Sequence, residues 1–352
     1  MKKIKIAQIG IGHDHASAVF MELQKMADVF EVVGYAEVPE DNLPNAWTQA
    51  HLNKQRCYYE KAQRYTVEEI FAIPDLDAVA IETYDLNLVK YAQMAAEKGL
   101  HIHMDKAPGE SAEAFEKLLA TIKAKKLAFS IGYMYRFNPL IQDAFHKARN
   151  GEFGEIHSVD AEMSCFYEKP KRDWLGLFQG GMMQYLGCHL IDLIVRLLGV
   201  PEEIIPLNCS TGYQGTEAKD FSFAVLKYPN GVSTIKSVMG DHGGFVRRHF
   251  LINGEKSTLD IRPLEKYESD GLHTLSTHSI YYDSVNWNDL GTAMHSNVFC
   301  RYEDMLRAFV AMIRGERSYE VDLETEAQVH RCLLAACGMP CDYKKAIVLV
   351  NR

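Results

Sequence analysis

The chain has 352 residues, a length that suits two ordinary domains better than one core. Hydrophobic residues make up 47% and charged residues 24%, a globular composition that excludes a disordered or fibrous protein. The formal charge is −9, from 38 Lys plus Arg against 47 Asp plus Glu, and the longest basic clusters (Lys123 to Lys126, Lys169 to Arg172) are short, so nucleic acid is not an expected partner.

The opening MKKIKIAQIGIGHDHA has an apolar run too short and too interrupted for a signal peptide. No stretch approaches ~18 uninterrupted apolar residues, so no membrane span is expected. Eight scattered cysteines lack zinc spacing, and a cytoplasmic protein with reduced thiols is the expectation.

The first half alternates strand and helix. Strands are predicted at Ile4 to Ile9, Phe30 to Ala36, Ala78 to Glu82, Leu100 to Met104 and Ala128 to Gly132. Helices are predicted at Ala16 to Met26, Leu88 to Lys98 and Ala112 to Ala124. Apolar strands separated by helices predict an α/β fold, a doubly wound parallel sheet covered on both faces. After about residue 150 the texture changes. Ile156 to Met163 alternates as a half-buried strand, and Phe221 to Tyr228 and Val232 to Val238 flank Pro229-Asn230-Gly231, a hairpin signal. His249 to Ile252 and Ser257 to Ile261 repeat that arrangement around Asn253-Gly254, and helices follow at Tyr302 to Ile313 and Leu323 to Ala336. An α+β second domain is expected, with domains at 1–130 and 131–352.

Gly10 and Gly12 directly follow the first strand. Such a pair lets the backbone turn sharply and approach a pyrophosphate seated at the next helix N-terminus. The third glycine of G-x-G-x-x-G is absent, with His15 in its place, and the pair also suits a tight turn with no ligand. Glu37, ending the second strand, is placed to accept the ribose hydroxyls of NAD. Its neighbours Val38 and Pro39 offer no Arg, Lys or Ser for a 2′-phosphate, so NAD is favoured over NADP. Lys106 follows the strand ending at Met104, where the strand ends of an open parallel sheet form the ligand crevice. There it can donate to a substrate hydroxyl or tune a neighbour's pKa, although a lone lysine opening a loop is most often a surface residue. In a helix, Tyr185, His189 and Asp192 share one face, a polar stripe that is costly to bury unless satisfied or used. His13-Asp14-His15 and His101/His103/Asp105 are of metal-ligand type. The first lies in the phosphate loop, and strand alternation accounts for the shared face of His101 and His103, so no metal is assigned.

Together these segments resemble the glucose-fructose oxidoreductase and inositol dehydrogenase family (Gfo/Idh/MocA) over nearly the whole chain. The matching pieces are Ile9 to Gly12, Ala78 to Thr83, Met104 to Pro108, Gly132 to Pro139, Gly180 to Asp192 and Arg301 to Gly315. The resemblance implies a Rossmann domain followed by an α+β domain with a large, mostly antiparallel sheet, often the interface of a homodimer or homotetramer. It also implies oxidation or reduction of a sugar, polyol or related hydroxyl compound by a bound nicotinamide. Carried over by position, the cofactor contacts are Gly10, Ile11, Gly12, His13, Glu37, Thr83, Asp105 and Lys106. Lys106 matches the catalytic lysine and His189 the histidine that exchanges the hydroxyl proton. Asp192 matches a substrate-side carboxylate, and Tyr135 and Arg136 lie where the family lines the substrate cleft. Trp174 either stacks on a sugar face or serves packing.

Three positions depart from the family pattern. Tyr185 stands where an acid usually precedes the histidine by four residues, Ala107 separates Lys106 from Pro108, and Tyr84, Asp85 and Asn87 follow Thr83. A phenol cannot supply the charge that would raise the His189 pKa. Tyr185 either serves as an acid beside Lys106 or only shapes the pocket, the latter being slightly favoured. The expected mechanism places the substrate hydroxyl between Lys106 and His189, with His189 taking its proton as hydride leaves and Lys106 stabilising the alkoxide. An NAD-dependent lyase or glycosidase acting through transient oxidation, and a non-catalytic NAD-binding sensor, remain open on the same residues.

Overall fold

Strand and helix alternate from the first residues of the computed structural model, which describes residues 2–268 and 274–349. In chain order come β1 (Ile4–Ile9), α1 (Ala16–Lys25), β2 (Phe30–Ala36), α2 (Ala46–Arg56), β3 (Arg64–Tyr65) and α3 (Val67–Phe71). They are followed by β4 (Ala78–Ile81), α4 (Leu88–Lys98), β5 (His101–Met104), α5 (Ala112–Lys125) and β6 (Phe129–Ile131). The six strands form one parallel sheet in the order β3-β2-β1-β4-β5-β6. This is the doubly wound order, with its switch point between β1 and β4. Ile6, Ala7 and Ile9 of β1 and all of β4 are buried, as expected of strands covered on both faces. Side chains cap α2, α3 and α5: Asn45 accepts from Thr48 N, Thr66 and Glu69 form a capping box, and Ser111 accepts from Ala114 N.

Next come α6 (Pro139–Arg149), β7 (Ile156–Glu162), α7 (Lys169–Leu175), a π-helical turn at Met183–Gly187 and α8 (Cys188–Leu198). Then follow β8 (Glu203–Pro206), β9 (Phe221–Tyr228), β10 (Gly231–Val238), β11 (His249–Gly254), β12 (Thr258–Ile261), β13 (Lys266–Tyr267), β14 (Thr274–Ser276), β15 (His278–Tyr282), β16 (Thr292–His295) and β17 (Phe299–Cys300). The last helices are α9 (Glu303–Ile313) and α10 (Leu323–Ala336). Eight of these strands form a sheet ordered β16-β15-β12-β11-β7-β10-β9-β8. Only the β7–β10 pair is parallel, so the sheet is mostly antiparallel. Both expected hairpins form, β9–β10 and β11–β12.

The chain packs as two units. One comprises Met1–Tyr133, Tyr302–Ala327 and Ala346–Arg352, and the other Met134–Arg301 and Gln328–Lys345. The first unit thus ends three residues beyond the expected boundary at 130 and also takes in α9. Side chains tie that returning segment to the parallel sheet: Tyr319 Oη donates to Leu127 O at 2.7 Å, and Phe309 lies 6.1 Å from the His103 ring.

Candidate functional site

The strand ends of the first unit are tied together around a glycine turn. Gly10 N donates to Ala36 O (2.8 Å), Glu82 N to Ile9 O (2.8 Å) and His13 N to Glu82 O (3.0 Å). Gly10 sits at φ +91°, and a Cβ there would lie 2.6 Å from Thr83, so only glycine fits. Gly12 is constrained differently, since its Cβ would lie 2.5 Å from the carboxyl carbon of Asp41. Asp41 accepts from Ile11 N (3.0 Å), Gly12 N (2.9 Å) and Tyr84 N (2.7 Å) and is 2% exposed. Burial pushes its carboxyl up to about 6, against the pull of those three N–H groups. Asp41 ends a three-residue 3-10 turn begun by Pro39, and no local motif marks it in the sequence.

Beside the turn, buried charge gathers. Asp105 Oδ2 lies 3.0 Å from both His13 Nδ1 and His15 Nδ1. The two sets of candidate ligands thus contribute to one cluster, His13, His15 and Asp105. His101 is not part of it: its Nδ1 accepts from Ala128 N (2.9 Å), and His103 faces Ser130. Burial alone would lower the His13 pKa, but Asp105 and Asp85 hold it well above its ordinary value. Burial would likewise raise Asp105, yet His13 and His15 hold it well below the carboxylate range. Glu82, fully buried and 3.8 Å from His13, is pushed well up by burial and by Asp105. The result is a buried histidine–carboxylate pair beside a second buried carboxyl group, that of Glu82. His13 Nε2 lies 2.9 Å from Lys106 O, and its Nδ1 lies 3.0 Å from Asp105 Oδ2.

Lys106 is 1% exposed, and its N–H donates to Asp105 Oδ1 at 2.7 Å. The Lys106–Ala107 peptide is cis, with alanine in the place of the family's proline. The unit therefore brings Gly10, Ile11, Gly12, His13, Thr83, Asp105 and Lys106 to one end of the sheet.

Glu37 stands apart from that cluster. Arg56 grips it through Nη2 (2.9 Å) and Nε (3.3 Å), and Arg64 Nη2 is 3.7 Å away. The sequence neighbours of Glu37 carry no cation, but α2 and β3 supply two. Glu37 also lines a cavity of about 700 Å³ with Pro39, Arg64, Val67, Lys90 and Tyr91.

In the second unit Arg136 and Asp192 form a buried bidentate pair (Nη2–Oδ1 2.7 Å, Nε–Oδ2 3.0 Å). The Tyr135 ring lies edge-on to His189 at 4.9 Å. Its hydroxyl donates to Glu265, which Arg248 and Arg301 also hold. Burial and the Glu265 charge push the Tyr135 phenol far up, so it keeps its proton. The helix expected through Tyr185, His189 and Asp192 is interrupted, because Tyr185 falls in the π-helical turn and the other two in α8. Such turns are frequent at functional sites. Tyr185 packs edge-on to Trp174 at 5.5 Å, and both rings face Lys171, 4.9 Å and 3.6 Å from its Nζ. Lys171 is buried at 3% exposure. The structure thus groups Tyr135, Arg136, His189 and Asp192 on one side, and Trp174 and Tyr185 about a lysine that no motif had singled out.

The profile of the GFO/IDH/MocA C-terminal domain matches residues 141–260. The uncharacterized oxidoreductase YhhX of Escherichia coli (strain K12) is 26% identical over 171 residues, 46% of this chain and 49% of that protein. D-xylose 1-dehydrogenase (NADP(+)) 2 of Haloferax volcanii is 25% identical over 169 residues, 47% of this chain and 51% of that protein. The chain spans about half the length of these curated relatives. The WlbA dehydrogenase from Bordetella pertussis, solved in complex with NADH and UDP-GlcNAcA, superposes with a TM-score of 0.68 at 17% identity. That match covers 95% of each chain and is a likeness of fold.

Proposed function

For this chain, whose residues 141–260 match the GFO/IDH/MocA C-terminal domain, we propose an oxidoreductase of that family that moves a hydride between a nicotinamide dinucleotide and a CH–OH carbon of a sugar, polyol or related compound. The observation that supports this reading most is the glycine turn at the switch point of a β3-β2-β1-β4-β5-β6 sheet, beside a buried lysine at the same strand ends. The two named relatives are an oxidoreductase and a sugar dehydrogenase, which agrees with it.

The residues suit a dinucleotide. Gly10 and Gly12 lack side chains where the backbone must come close to a diphosphate, and Glu37 ends β2 where the adenosine ribose is held in this fold. NAD is the proposed cofactor, because the Glu37 carboxylate repels a 2′-phosphate. The bound nicotinamide supplies a hydride acceptor, or a donor in the reverse direction.

The chain's own groups handle the oxygen. Lys106 donates a charge-assisted hydrogen bond to the substrate oxygen and stabilises negative charge developing there. His189 takes the hydroxyl proton during oxidation and returns it during reduction. Arg136 and Asp192 hold the His189 helix through their mutual pair, and Trp174 and Tyr185 shape the sugar-facing wall around Lys171. In solution the chain forms a homodimer or homotetramer through its eight-stranded sheet.

The test is a spectrophotometric screen of sugars, inositols and their acids with NAD and NADP. Net formation of reduced nicotinamide with one compound class is the expected result. No turnover with any of them, under conditions where the dinucleotide binds, would sink the reading.

A further inference from the structure

The backbone N–H groups of a glycine turn at a strand end are what make it an anion seat. Here two of them already carry an anion. Ile11 N and Gly12 N both donate to Asp41 Oδ2, at 3.0 and 2.9 Å, while Tyr84 N holds Oδ1 at 2.7 Å. The carboxylate is packed so closely on Gly12 that a methyl group there would lie 2.5 Å from its carbon. The space that the second glycine keeps open is thus filled by a side chain of the same protein.

We propose that Asp41 is an internal stand-in for the cofactor diphosphate: it occupies the anion seat of the free protein and swings out when a dinucleotide docks. The proposal rests on the dinucleotide reading above and adds a competing occupant to it. One N–H donates fully to one acceptor at a time, so carboxylate and phosphate cannot both be served by Ile11 and Gly12. Two like charges would also share one buried corner. Asp41 has a route out, since it ends a three-residue 3-10 turn rather than lying inside a helix or strand. Burial raises its pKa to about 6, so this seat holds the charged form less well than water does.

The carboxylate therefore lowers dinucleotide affinity and keeps the turn satisfied when no nucleotide is present. Its competitor is any ligand that presents a diphosphate, whatever nucleoside or nicotinamide is attached.

The test is fluorescence titration of the full chain with NADH and with ADP-ribose, comparing wild type with Asp41→Asn. Asparagine keeps the shape and one acceptor oxygen but loses the charge. At least tenfold tighter binding of both ligands by the variant is expected. Equal or weaker binding by the variant overturns the proposal and leaves the dinucleotide reading standing. Absence of binding to either protein overturns that reading, and this proposal with it. A crystal structure of the wild-type chain with ADP-ribose does not depend on how the variant folds. It should show phosphate oxygens on Ile11 N and Gly12 N with the Asp41 carboxylate withdrawn. Asp41 still bonded to both N–H groups in that complex would overturn the proposal.

Discussion

Arg56 grips Glu37 through two nitrogens, with Nη2 2.9 Å from Oε2. Glu37 is only 13% exposed in its side chain, and Arg64 stands 3.7 Å from the same oxygen. At the position proposed to read the adenosine ribose, one carboxylate is therefore flanked by two guanidinium groups. Removing the negative charge leaves two cations suited to a phosphate. Glu37→Gln should shift the ratio of NADPH to NADH affinity toward NADPH by about tenfold or more, and Arg56→Ala should shift it the other way. Fluorescence titration of both nucleotides reads the ratio, and an unchanged ratio in Glu37→Gln would remove Glu37 from cofactor selection.

The parallel sheet was legible in the sequence because its strands are short apolar runs bounded by polar or glycine residues, as at Ile4 to Ile9 followed by Gly10. The hairpins were legible from Pro229-Asn230-Gly231 and Asn253-Gly254. Residues 46–65 were not, because α2 is mostly polar and buries only Thr48, Leu52 and Gln55, which leaves little periodic signal. The same gap hid Arg56 and Arg64 from the reading of Glu37. Asp41 escaped for a different reason, since its donors lie 30 residues before it and 43 after it. Composition near Asp41 carries no trace of that. The two histidine sets looked separate because Asp105 joins His13 and His15 only once β1 and β5 share a sheet end.

Asp41 also predicts how stability responds to acid. Its pKa in the folded chain is about 6, against an ordinary 3.8, so the folded state binds the proton more tightly than the unfolded state. The stabilisation linked to that proton is complete below pH 3.8 and is lost as pH rises through 6. A shift of this size corresponds to about 3 kcal/mol. Wild type should therefore lose stability relative to Asp41→Asn between pH 4 and pH 6. Urea unfolding of both proteins at several pH values measures the difference, and parallel curves would mean that Asp41 does not titrate in that window.

In the second unit, Arg172 and Asp220 are both essentially inaccessible and lie 2.6 Å apart. Asp220 also accepts from Thr211 N and Oγ1, each at 2.7 Å, while Arg172 Nε donates to Tyr167 O at 2.8 Å. Truncating one partner leaves the other charge buried and unpaired, which costs about 3–5 kcal/mol. Asp220→Ala should lower the midpoint of urea unfolding accordingly. The damage should extend to the Lys171–Trp174–Tyr185 group, because Arg172 and Lys171 are neighbours on α7. Fluorescence of Trp174, read through a Trp174→Phe difference, reports that loss. A midpoint within error of wild type would show that water or a rearranged partner relieves the stranded guanidinium.

The catalytic assignments predict a split between binding and turnover. Lys106→Met removes an ammonium while keeping much of the side-chain volume, and the Asp105 and His13 contacts to the Lys106 backbone remain available. His189→Ala removes the proposed proton acceptor from α8 while leaving the Arg136–Asp192 pair, whose bonds do not involve it. General acid–base groups contribute about 10²- to 10⁴-fold to rate, so each variant should lose turnover in that range. NADH affinity should change by no more than about threefold, well under 1.4 kcal/mol. Loss of the alkaline or acid limb of the kcat profile in His189→Ala, measured in both reaction directions, would identify the proton it exchanges. A variant that turns over at the wild-type rate would show that its residue takes no part in the chemistry. A variant that loses NADH binding together with turnover would move that residue from proton or charge handling to cofactor retention.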